Sequence, residues 1–142
     1  EAPVEIKGKK FFFAIILIAV IAAFRLMQVW MLSKNIPNEE RSLFIAGYEI
    51  HHVSHGFIVI LAGVLAIYLG RSIRYVYWAG LLALVVGIAF INDQISYYLL
   101  AKVTDEAYFS LLSHLGAYVV TFVQIVIVFV LKPPAELVKK EL

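Results

Sequence analysis

Long apolar runs separated by short polar punctuation make up almost the whole chain. Four runs stand out, over roughly residues 11–32, 45–69, 76–100 and 109–131, each close to the ~20 residues with which an α-helix crosses a bilayer. The punctuation is the stretch 33–43 with Pro37 and Glu39-Glu40-Arg41, the turn around Arg71 and Arg74, and the stretch before residue 109 with Lys102, Asp105 and Glu106. Backbone polar groups in hydrocarbon must be satisfied within their own segment, so runs of this length predict helices. The pattern predicts an all-α fold, a four-helix transmembrane bundle forming a single domain over 1–142. Pro133-Pro134 ends the fourth helix, and 132–142 follows as a short charged tail along the membrane surface.

Lysine and arginine positions orient this bundle. Lys7, Lys9, Lys10, Arg71, Arg74, Lys132, Lys139 and Lys140 fall on one side, against Lys34, Arg41 and Lys102 on the other. Positive charge accumulates on the cytoplasmic side, so both termini are expected in the cytoplasm of a prokaryotic plasma membrane. Lys9 and Lys10 precede the first run as they would in a signal peptide. That run is too long for one and lacks a small-residue cleavage pattern, so it is read as a retained span.

Composition narrows the function classes. With 63% hydrophobic and 15% charged residues, the chain is too apolar for an ordinary soluble domain, and its net charge of +2 gives no reason to expect nucleic acid. The absence of cysteine removes thiolate nucleophiles, iron–sulfur clusters and sulfur-ligated zinc.

Against this apolar background the ionisable residues inside the runs carry the information. Arg25, the group His51, His52 and His55, then Asp93 and His114 fall in four separate runs, each about two turns from the same face. At 1.5 Å per residue that is roughly 10 Å below the outer boundary. Such groups cost about 3 kcal/mol apiece at the centre of a membrane helix by insertion scales and usually mark a site.

Helical projection sorts the faces. Tyr48, His51, His52 and His55 share an arc that continues as Val59, Ala62, Gly63, Ala66 and Gly70, a polar-then-small stripe expected to face the bundle. The fourth span aligns Ser110, His114, Ala117, Thr121 and Gln124. In the third, Gly80, Gly87 and Gln94 share one side while Asp93 points away with Ala79, Val86 and Phe90, so that helix is expected to meet different neighbours on its two sides. In the first, Ala14, Ile18, Ala22, Arg25 and Gln28 align, which turns the guanidinium inward or lets it snorkel to headgroups.

These positions predict a metal site built from His51, His52, His55, Asp93 and His114. His51 and His55 stand at i and i+4, the spacing by which one helix offers two imidazoles to an ion; His52 and His55 at i and i+3 could do so too, although His52 is read as the bystander of the three. Nitrogen and oxygen donors without sulfur suit zinc, iron, manganese or copper. The expected activity is that of a metal-dependent membrane hydrolase or oxidoreductase acting on a lipid, with Arg25 holding an anionic headgroup or pairing with Asp93. Glu49, Asp105 or Glu106 would serve as proton-transfer groups. The tyrosines and tryptophans near span ends, Trp30, Tyr75, Tyr77, Trp78, Tyr97, Tyr98 and Tyr108 among them, are read as an anchoring belt.

Gly47-Tyr48-Glu49-Ile50-His51-His52 followed by Gly56, with Asn92-Asp93-Gln94 ending a small-residue third span, resembles a group of small prokaryotic integral membrane proteins. These carry an isoleucine-histidine-histidine segment and a later aspartate, usually followed by glutamate where this chain has Gln94. The resemblance implies importance for His51, His52 and Asp93 and names no activity.

Two other classes fit the same layer. Two of His51, His55 and His114 could ligate haem b in an electron-transfer protein or subunit exchanging electrons with quinone. Alternatively, the polar groups could be helix–helix contacts in a structural subunit of a homo-oligomer or larger membrane complex.

Overall fold

The computed structural model describes residues 6–37, 40, 43–70, 72–99 and 105–131; of these, 6–9, 43–44, 48–49, 96–99 and 105–106 are described by their backbone alone. The tail 132–142 and the side chains of Glu49, Tyr97, Tyr98, Asp105 and Glu106 lie outside this description. The order is α1 (Ile6–Ser33), a hairpin of β1 (Leu43–Ile45) and β2 (Tyr48–Ile50), α2 (His52–Leu69), α3 (Arg74–Leu99), a short α4 (Asp105–Tyr108) and α5 (Leu111–Val130). Four stretches, Lys10–Ser33, His52–Leu69, Arg74–Ile95 and Leu111–Val130, are long and apolar enough to cross a membrane, as an integral membrane protein requires.

Local sequence sets the element ends. Helix α1 stops in a Schellman motif: Asn35 takes a positive φ of 52°, Ile36 N donates to Met31 O at 3.2 Å and Asn35 N to Leu32 O at 2.9 Å, with Pro37 just beyond. The hairpin departs from the expectation that the second span begins near 45. Ala46 and Gly47 both have positive φ, 53° and 83°, the backbone of a two-residue turn that matches strand twist. The turn folds Leu43 opposite Ile50 and Ile45 opposite Tyr48, so the helix starts only at His52, with His51 as its N-cap. At the opposite end of the bundle, Lys10 Nζ donates to the carbonyls of Phe129 and Leu131 at 3.2 and 2.9 Å, satisfying the last turn of α5 and tying it to the start of α1.

Helix α3 is the centre of the bundle. Its two sides meet different partners, as its projection predicts. One side packs along α2 through glycines. A Cβ on Gly56 would lie 2.7 Å from Gly87 O, and one on Gly63 would lie 2.7 Å from Leu84 N and 2.8 Å from Gly80 O, so the two backbones touch. The contact face of α2 runs through Gly56, Gly63 and Gly70, whereas Ala62, expected on it, is exposed. The other side of α3 places Val85 and Ala89 against Leu17 and Ile21 of α1, with Phe13, Ile16, Val20, Phe24, Ile88 and Ile125 packed around them. Helix α2 leans on α3 alone for most of its length.

Because α2 and α3 approach backbone to backbone, Gly63→Ile should lower stability by about 1–3 kcal/mol, whereas Ala62→Ile on the exposed side should change it little. Thermal unfolding of both variants in one detergent, with wild type alongside, measures the difference.

Candidate functional site

Leu17, Ile21, Arg25 and Gln28 form the buried stripe of α1, so its helical spacing carries Arg25 into the bundle and not toward headgroups. The side chain is 3% exposed. Nε lies 2.6 Å from Asp93 Oδ1, an ion-pair contact that lacks hydrogen-bond geometry. Nη2 donates to the backbone carbonyl of Asp93. Nη1 faces Tyr108 O at 3.0 Å, Ser113 Oγ at 3.3 Å and His114 Nδ1 at 3.3 Å. The guanidinium also lies over the Tyr108 ring, 4.3 Å from its centroid. One side chain on α1 therefore holds α3, α4 and α5 together.

Asp93 is 0% exposed and meets partners on both oxygens. Beyond Arg25 on Oδ1, its Oδ2 accepts the Tyr108 hydroxyl at 2.6 Å and faces His52 Nδ1 at 3.3 Å. Asp93 is thus paired with Arg25, one of the two roles expected of it. Tyr108, read as a belt residue, is instead buried in this layer, because the four-residue α4 turns it inward before α5 begins. Trp30 and Tyr75 remain exposed near the ends of their spans, as anchoring residues should.

Hydrogen-bond partners assign the histidine tautomers. An arginine can only donate, so His114 Nδ1 accepts and its proton sits on Nε2. A carboxylate and a carbonyl can only accept. His52 Nδ1 therefore donates to Asp93, and His55 Nδ1 donates to His51 O at 3.1 Å, so that in the neutral ring of each the lone pair is on Nε2. His51 and His55, spaced at i and i+4, do not both lie within the helix. His51 stands at the N-cap, outside the helix, and meets His55 through its backbone carbonyl. His52 and His55 are the two imidazoles that stand together, ring centroids 6.4 Å apart, both against Phe90 at 5.6 and 6.1 Å. Phe24 of α1 closes over His52 at 6.0 Å.

Among the described residues no group of three histidine or carboxylate side chains is placed to hold a metal ion. Arg25 and Asp93 stand between His52 and His114. Two imidazoles sharing one tetrahedral ion have centroids about 5 Å apart, so a shared ion would draw the His52 and His55 rings about 1 Å closer.

Polar contacts that helical projection did not resolve complete the layer. Ser113 is fully buried under the guanidinium. Gln94 Oε1 accepts from Val53 N at 3.1 Å, capping from α3 the start of α2 that His51 leaves without a side-chain cap. Just beneath, Asn92 and Gln124 exchange amide hydrogen bonds at 2.6 and 3.1 Å, and Asn92 reaches Thr121 at 3.3 Å. Paired polar residues at facing depths on α3 and α5 were the available signal for this tier.

No family model, curated protein or solved structure matches the chain.

Removing one member of a buried ion pair strands the other, so Arg25→Leu and Asp93→Leu should each destabilise by about 3–5 kcal/mol, and the double substitution by clearly less than their sum. A double-mutant cycle on unfolding in mixed micelles gives the coupling; strict additivity would show that the pair does not act as a unit.

Proposed function

We propose that this is a membrane-embedded metal-binding protein whose working donors are the Nε2 atoms of His52 and His55. The observation that carries this reading is the bond from His52 Nδ1 to the buried carboxylate of Asp93. Metal-ligating histidines almost always donate their second ring nitrogen to a carboxylate or a backbone carbonyl, and His52 and His55 have one of each. Asp93 then belongs to the outer sphere, where it orients His52, and Arg25 holds that carboxylate in place. His114 is a hydrogen-bond partner of Arg25 and not a donor to the ion.

A zinc, iron, manganese or copper ion held there would supply Lewis-acid or redox chemistry. His52 is 23% exposed, at the start of the helix whose main partner is α3, with Phe24 of α1 over one side of its ring. A lipid substrate would approach sideways from the bilayer, in the extracytoplasmic half if the lysine and arginine distribution sets the orientation. The apolar cover of Phe24 and Phe90 limits water around the imidazoles. The same tautomer assignment speaks against a haem between α2 and α5, because His114 Nδ1 already accepts from Arg25 and its Nε2 carries the proton.

Elemental analysis and an ultraviolet–visible spectrum of protein purified without chelator test the reading. About one equivalent of a transition metal and no Soret band is the expected result, with His52→Ala and His55→Ala each losing most of the metal and His114→Ala retaining it. A Soret band, or metal content indifferent to His52 and His55, would overturn it. Protein that binds neither haem nor metal would leave the polar layer with a purely structural role.

A further inference from the structure

We propose that Tyr108 sets the strength of the Asp93–His52 hydrogen bond and, through it, the donor strength of His52. Asp93 Oδ2 receives two donors, the Tyr108 hydroxyl at 2.6 Å and His52 Nδ1 at 3.3 Å. The first has the length of a full charge-assisted O–H···O⁻ bond, while the second is longer than the 2.7–2.9 Å typical of charge-assisted N–H···O⁻ contacts. Oδ1 is occupied by Arg25, so the carboxylate cannot rotate to serve both donors equally. The phenol is itself fixed. Its residue is buried, its carbonyl receives Arg25 Nη1, and its ring lies under the guanidinium. The carboxylate is thus held toward Tyr108, and His52 takes the weaker share of the oxygen.

Removing the hydroxyl leaves Oδ2 to His52 alone. The Nδ1–H···Oδ2 bond shortens, the imidazole is polarised more strongly, and Nε2 becomes a better donor. The first step stands on the geometry alone, whereas the effect on a bound ion rests on the metal-binding reading above. Tyr108 is a positioning residue in this scheme and touches neither ion nor substrate.

The experiment compares wild type with Tyr108→Phe, with Tyr108→Met as the second variant should the first fail to fold. The chain has only four histidines, so ¹⁵N-histidine labelling of the metal-free protein in micelles gives a short list of ring resonances, with His52 assigned through His52→Gln. The expected result is a downfield move of the His52 Nδ1–H proton while the His55 ring resonance stays in place. A subsequent zinc titration should then show affinity raised on the order of tenfold, the lower end of outer-sphere effects. A His52 resonance that stays in place or moves upfield overturns the proposal. A resonance that moves while zinc affinity stays the same overturns the second step. Zinc binding by neither protein, with the resonance moved, upholds the hydrogen-bond coupling and overturns the metal reading instead.

Discussion

The buried pair of Arg25 and Asp93 is the interaction on which the rest of the structure depends. Each charge alone would be costly in hydrocarbon. Together, with every guanidinium nitrogen and both carboxylate oxygens engaged by named partners, they become the point where α1, α3, α4 and α5 meet. An ion pair of this kind specifies more than it stabilises, since alternatives that slide a helix along its axis leave a charge without its partner. The depth of α1 against α3 and the inward turn of Tyr108 satisfy these two side chains, while α5 starts at its own cap, Ser110, whose hydroxyl accepts from Ser113 N.

Around that pair the apolar packing divides the work. On one side of α3, Leu17, Ile21, Val85 and Ala89 form an ordinary hydrophobic core with α1, and the Asn92–Gln124 amide pair registers α5. On the other, glycines let the α2 backbone touch that of α3, and Gln94 caps the first turn of α2. Helix α2 is therefore positioned by backbone contact and one side-chain cap instead of by a core. This position carries His52 to within reach of Asp93 and sets His55 beside it against Phe90. His52 and His55 occupy a helix whose main partner is α3, next to a fully buried carboxylate.

Much of this was legible beforehand, for identifiable reasons. Uninterrupted apolar runs gave the spans, because in lipid length and polarity alone decide whether a segment crosses. Equal depth of Arg25, His51, Asp93 and His114 pointed to one layer, and the two-sided wheel of the third span pointed to different neighbours on its two sides. The hairpin at 43–50 was hidden because Leu43, Phe44 and Ile45 continue the apolar character of the span behind them; only the backbone at Ala46-Gly47 separates strand from helix. Tyr108 and Ser113 were hidden because a tyrosine near a span end is usually an interfacial anchor, and a serine one position from His114 sits off the stripe that the projection selects.

The sequence by itself determined that the chain has four apolar spans, that one layer near one end is polar, and which residue types that layer contains. These follow from one-dimensional quantities, run length and position along a helix. Which groups pair with which was decided only by the tertiary structure. Asp93 could have been a metal ligand or a counter-ion at the same depth, and any of the four imidazoles could have stood free. Partner choice depends on ångström-scale distances between helices, which here follow from glycine contacts and a single buried ion pair, and those distances are not written in the spacing of residues along any one segment.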